Sequence, residues 1–281
     1  MPTTYTHWYF GNECIKVLPD NLKQIVNNNR DIFNTGTNGP DVFFYNLLDS
    51  NVTNFGHNMH KESPREFFNN AIKVYRENDQ DKDAMLSYLL GFLSHYVLDS
   101  QTHSYVERKR EVSNLTHNKV EAEYDGYLMR KQGYDVRQIK RADTIFTGLR
   151  NAEIISRFYP FDGKTVHKAF KWHKFIISIF HSRTKLKYHF LKWFTNKFLG
   201  EGHKDIPVPF EEEDICKDSN LRLDRLSEKA IDVYKEVVDD FMNALNNNKE
   251  LGPYFDHHFN QWDDYKDIEI LSYEDELNNK I

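Results

Sequence analysis

The segment Leu89–His103, LLGFLSHYVLDSQTH, sets His95, Asp99 and His103 at successive intervals of four inside an otherwise apolar run. On an α-helix such residues share one stripe, drifting about 40° and rising about 6 Å per step. Polar groups in that setting are costly unless something satisfies them. The fold must therefore bring partners to this stripe. The outer two residues lie about 12 Å apart along a continuous helix, too far to share one ion at bond lengths near 2 Å. Asp99, with two carboxylate oxygens, can serve one ion with His95 and reach a second, so the geometry predicts more than one metal.

A second pair follows in HNKVE, where His117 and Glu121 are again four apart on a predicted helix. Together with His103 they form a second candidate site, since an i, i+4 pair presents two ligands to one ion. A lone His-x-x-x-Asp is more often a local hydrogen bond. Two linked pairs in an apolar setting favour metal. Weaker candidates precede them: Asp41 in TGTNGPD, His57 and His60 in FGHNMHKE, and His7 in THWYFG. Each alone reads as a turn residue or an ordinary histidine. With Cys14 and Cys216 the only cysteines, neither a thiolate zinc motif nor a disulfide framework is available, and any metal must be held by His and carboxylate.

The rest of the chain reads as helical. DNLKQIVNNNRDIF carries an i, i+3, i+4 apolar pattern after an Asp, and PREFFNNAIKVYREN places Pro64 at a helix start. DKDAMLSYLLGFLSHYVLDSQTH is the longest apolar helix, THNKVEAEYDGYLMRKQG ends on Gly133, and SNLRLDRLSEKAIDVYKEVVDDFMNALNNN is long and amphipathic. No segment alternates cleanly enough for a strand, so the expected class is all-α. Breaks fall at NTGTNGPD, FYPFDGKT and GEGHKDIPVPFEEED, the last being the best linker candidate. The expected organisation is one domain over 1–281, with a metal-site core in 1–135 and additional helices in 136–281. No basic, apolar, small-residue leader opens the chain and no run of about 18 apolar residues follows, so a soluble, cytoplasmic protein is expected.

Charge is uneven. From Lys164 to Gly200 there are nine Lys or Arg and no Asp or Glu, although the whole chain carries −6. The band 164–198 mixes these cations with aromatics, which suits peripheral membrane contact. The plainer reading is a pair of core helices balanced by the acidic C-terminal third. Its histidines at 167, 173, 181 and 189 have no carboxylate at i+4 and are not proposed as ligands. A net acidic chain without a nucleic-acid motif gives no reason to expect nucleic acid as partner.

Taken in order, His7, Gly39-Pro40-Asp41, His57 or His60, His95-x-x-x-Asp99, His103 and His117-x-x-x-Glu121 resemble the zinc-dependent phospholipase C family over about the first 125 residues. The resemblance implies an all-helical fold with a multinuclear zinc cleft. It implies a first site from Asp41, His60 (or His57) and His95 with Asp99 bridging, a second from His103, His117 and Glu121, and a third from His7 and Asp99. Secreted members complete the third site with an N-terminal Trp, whereas this chain starts Met-Pro, six residues before His7; two or three ions are therefore implied. The implied activity is hydrolysis of a phosphodiester, with Asp41 also placed to orient or deprotonate the attacking water and a glycerophospholipid as substrate. A nuclease-type phosphodiesterase is the related alternative, and a non-catalytic metal-stabilised binding protein the more distant one.

Overall fold

Every residue from Ala84 to Ser100 is buried. A helix that is apolar all round has only one place in a globular fold, the middle. In the computed structural model, which describes residues 4–46, 48–200, 204–260 and 262–279, this helix is α6 (Lys82–Ser113), and the other elements are laid around it. Helix α3 (Arg30–Gly36) crosses it at the tightest point. A Cβ on Gly36 would overlap the Tyr88 carbonyl, and one on Gly91 the Phe33 carbonyl, so the two backbones touch directly. On another flank lies α11 (Lys217–Asn247), whose Ala230, Tyr234, Val237, Val238 and Phe241 are buried at helical spacing. The Tyr234 hydroxyl donates to the Leu90 carbonyl at 3.1 Å. The Lys109 ammonium meets both carboxylate oxygens of Asp218 at 2.8 and 2.6 Å, a buried pair joining α6 to the start of α11.

Helix α6 ends at Asn114, whose left-handed backbone (φ 52°) returns its N–H to the Arg110 carbonyl. Thr116 then caps α7 (His117–Lys131), its hydroxyl accepting from the Lys119 N–H at 3.1 Å, so the chain doubles back beside α6. Gly133, at φ 79°, stops α7, as the sequence suggests. Helix α1 (Thr4–Val17) packs against α6, α7 and α11. The remaining helices are α2 (Asp20–Asn28), α4 (Ser50–Met59), α5 (Arg65–Glu77), α8 (Leu149–Ser156), α9 (Gly163–Ile179), α10 (Lys185–Phe198) and α12 (Tyr273–Asn278). Among the described residues there is no strand, and no helix is long and apolar enough to cross a membrane. The protein is all-α.

Two expectations are corrected. DNLKQIVNNNRDIF is two helices, not one: Asn29 leaves the helical region (φ −127°), closes α2 with its N–H on the Val26 carbonyl, and its side-chain amide donates to the Ile25 carbonyl at 3.0 Å. The stretch read as a linker is packed from Lys204 onward. The Lys204 carbonyl accepts from Asn118 at 2.8 Å, the Ile206 carbonyl accepts from Arg141 at 3.0 Å, and the Ile206 side chain is fully buried.

Candidate metal centre

Three residues of the site come from one face of α6, and four other elements bring the rest to it. Asp41 sits in the short 3-10 turn Gly39–Phe43. Gly39 makes that turn possible: its φ is 49°, and a Cβ there would overlap the His95 imidazole. His60 follows the last turn of α4. His7 lies in the first turns of α1, anchored by Asp125 of α7, whose carboxylate accepts the Thr6 N–H at 2.9 Å and the Thr6 hydroxyl at 2.7 Å. Arg141 holds the other Asp125 oxygen at 3.2 Å. His117 and Glu121 face the stripe from α7.

These residues assemble into three groups whose potential ligand atoms lie within 4.8 Å of one another: Asp41, His60 and His95; His7, His95 and Asp99; and His103, His117 and Glu121. Asp99 is the hub. One of its oxygens is 3.2 Å from His7 Nε2 and 3.7 Å from His103 Nε2, and the other is 3.2 Å from His95 Nε2 and 3.8 Å from His60 Nε2. His60 Nε2 is also 3.0 Å from an Asp41 oxygen, and Glu121 is 3.3 Å from His103 and 2.8 Å from His117. All are buried except His117, which is partly exposed.

The outward nitrogens of four imidazoles are occupied. Nδ1 of His60 meets the Gly56 carbonyl at 3.0 Å, that of His95 the Thr37 carbonyl at 3.2 Å, that of His103 the Phe259 carbonyl at 2.5 Å, and that of His117 the Glu107 carboxylate at 2.5 Å. A ring whose Nδ1–H is held this way turns its Nε2 lone pair inward, the arrangement in which metal-binding histidines are oriented. The buried Nε2 atoms of His60 and His95, and one oxygen each of Asp99 and Glu121, lack a well-formed hydrogen bond despite the close approach of their neighbours. Convergent lone pairs without protons between them fit a cation, and an all-N/O donor set suits zinc.

Without a cation the imidazoles and carboxylates act on one another's charge. Burial works against charge on Asp99, yet the imidazoles of His103, His95 and His7 hold its carboxyl well below the usual range. Burial likewise opposes a charged His117, but Glu121 and Glu107 lift its pKa to about 10, and Glu121 falls to about 2 beside His117 and His103. His95 is lowered by burial and by its neighbour His7, whose ring stacks on it at 4.1 Å.

A family profile described as zinc dependent phospholipase C matches residues 6–190. The chain belongs to this family. Every candidate residue of the zinc-dependent phospholipase C site falls inside the match, which runs beyond the first 125 residues where the sequence motifs lie and takes in α8, α9 and the start of α10. No curated protein and no solved structure was found to match.

Of the nine candidate residues, eight join the three groups. His57 does not: it is exposed, and its ring stacks on Phe44 at 4.4 Å. The expectation of a missing third-site ligand rests on residues 1–3, which lie outside the described residues. Several supporting residues were not legible in the motifs. Glu107 backs His117, and His173 of α9 meets the Asp41 carbonyl at 3.0 Å. Residues beyond the family match close the site from the far end of the chain. The Phe259 ring stands 5.2 Å from His60 and 6.0 Å from His95, and the Asn260 amide donates to the His60 carbonyl at 2.8 Å. Only Glu107, one turn beyond His103 on the same stripe, carried a usable sequence signal. A small cavity of about 20 Å³ is lined by His7, Asp99 and Glu121 among others, room for about one water.

Proposed function

We propose that the protein is a metal-dependent phosphodiester hydrolase that cleaves a glycerophospholipid, phospholipase C fashion, to diacylglycerol and a phosphorylated headgroup, using two or three zinc ions. The observation that carries this reading is the set of inward-facing Nε2 atoms arranged about Asp99, with the Nδ1 atoms of His60, His95 and His103 held from behind by backbone carbonyls. Zinc bound there supplies a Lewis acid for phosphoryl oxygens and an acidified water. The chain's own residues do the rest. Asp99, between the groups, holds the donors of adjacent sites at fixed separation. Asp41 orients the attacking water and takes its proton as the water oxygen bonds to phosphorus and the bond to the glycerol oxygen breaks. The departing alkoxide regains a proton from solvent. Buried imidazoles locked by carbonyls need no reorganisation during the step.

The test is metal content of the purified protein by elemental mass spectrometry, with His95→Ala and His117→Ala alongside, followed by assays on phospholipid and on single-stranded nucleic acid. Two or three zinc per chain, reduced by each substitution, with headgroup release from phospholipid, is the expected result. A wild type that resists zinc reconstitution overturns the reading. Zinc loading with cleavage of nucleic acid alone replaces it with a nuclease.

A further inference from the structure

Helix α10 is apolar on its buried side and on an exposed side next to it. Its inner side buries Tyr188, Leu191 and Thr195. At about 100° per residue, Leu186, Phe190, Trp193, Phe194 and Phe198 fall within an arc of about 140° centred about 120° away from that inner side. They stay in solvent: Leu186 is 83% exposed, Trp193 51% and Phe198 57%. The rings form one connected patch, with Phe190 6.0 Å from Trp193 and 6.2 Å from Phe194, and Phe198 5.4 Å from both Trp193 and Phe194. Contiguous aromatic surface of this kind is uncommon on a protein with nothing to cover it.

The charge around the patch says what covers it. Lys185 and Lys192 pair with Glu211 and Glu213. Lys164, Lys168, Lys171, Arg183, Lys187 and Lys197 are exposed and form no ion pair among the described residues. On α9, Lys164, Lys168, Lys171, Phe175 and Ile179 make a single exposed stripe, basic first and apolar after. His167 and Trp172 flank this stripe and are partly exposed. Lys197 lies over the rings of Trp193 and Phe198, 5.2 and 5.4 Å from their centres. Of the plainer expectation, a basic band balanced by the acidic C-terminal third, the ion pairs of the band bear out Lys185 and Lys192.

We infer that α10 docks on an anionic lipid surface, with its exposed aromatics entering the headgroup layer and the unpaired lysines of α9 and α10 meeting lipid phosphates and carboxylates. The combination of exposed aromatics and unpaired cations on one element is the signature of an interfacial helix. A protein partner would need an acidic apolar groove shaped to this face, whereas an anionic lipid surface meets dispersed lysines and exposed aromatics without one. Helix α9 reaches the metal centre directly, where His173 meets the Asp41 carbonyl, and α10 is tied to the ligand-bearing helix α7 through Glu213, which Lys192 shares with Lys119. Lipid held there is close to the elements that carry the ligands. The inference rests on the exposed face and stands apart from the hydrolase reading.

Sedimentation with phosphatidylcholine vesicles, with and without phosphatidylserine, tests it without requiring turnover. The full chain should bind the anionic vesicles tighter by about tenfold or more, less so at high salt. The triple substitution Phe190→Ser, Trp193→Ser and Phe198→Ser should abolish binding while leaving the melting temperature and metal content in place, because all three side chains are exposed. Trp193→Phe should keep binding but lose the blue shift of tryptophan emission on vesicle addition. Equal binding to both vesicles, or binding that survives the triple substitution, overturns the inference. So does a wild type that ignores vesicles but dimerises through this face, becoming monomeric in the triple variant.

Discussion

Gly39 has two separate reasons to be glycine: a left-handed backbone and the His95 ring pressed against the place a side chain would occupy. Gly39→Ala should therefore lower stability by roughly 2–5 kcal/mol, the sum of a left-handed alanine and an overpacked contact, and should lower zinc content as well, read by chemical denaturation and elemental analysis. Glu107 touches no other member of the cluster than His117, yet Glu107→Gln should weaken zinc binding by about 10- to 100-fold through loss of the carboxylate behind that ring. His57→Ala, on an exposed stacked ring, should leave zinc content as in the wild type. Equal losses in the two variants would show that position in the groups does not decide who binds. At this scale the sequence is informative where ligands repeat at helical spacing, because one helix fixes their relation. His95, Asp99 and His103 are readable for that reason. His57 and His60 are not separable in FGHNMHKE, since both flank a helix end and only the packing of Phe44 and Gly56 tells them apart.

At the scale of elements, the buried Lys109–Asp218 pair is the main polar tie between α6 and α11. Asp218→Asn leaves the Lys109 ammonium enclosed without its counter-charge, and a loss of about 3–5 kcal/mol is expected; urea denaturation checks it, and a change under 1 kcal/mol (about the value of an exposed pair) would mean water reaches the lysine. The long helices were legible from period and length, with α6 betrayed by its unbroken apolar run and α7 by Thr116 and Gly133. The split at Asn29 was not, because asparagine is tolerated in a helix as readily as it ends one, and only the crossing of α3 over Gly91 selects the break. The packed course of Lys204–Pro209 was hidden in the same way: Gly, Pro and acidic residues mark a departure from helix, but not whether the departing chain is free or held.

For the whole molecule, zinc is expected to be part of stability. Stripping it should lower the melting temperature, because the ions bind the folded arrangement and not the unfolded chain. The size of that drop should depend on pH in a definite direction. In the metal-free protein His117 has its pKa raised to about 10, so its contribution is complete below its unfolded value and is lost as pH rises through 10,. Glu121 and Glu107 are depressed to about 2, so theirs is present above the unfolded carboxylate value and is lost only as pH falls toward 2. Zinc must displace the imidazole protons, so its affinity grows as pH rises. The gap in melting temperature between loaded and stripped protein should thus widen between about pH 6.5 and 9, and a gap that narrows would refute the assignment of these imidazoles as ligands. The all-α class and the two i, i+4 pairs could be read from the sequence because they rest on periodicity, whereas the joining of His7, Asp41 and His60 to them was implied only by the family resemblance. The closing of the site by Phe259 and Asn260 could not, since a backbone carbonyl donates no sequence signal. That last feature also sets an order of events during synthesis. Every candidate ligand has been synthesised by Glu121, while the carbonyl that fixes His103 arrives 138 residues later. Through that interval the nascent chain carries all its ligands without the piece that locks the His103 ring.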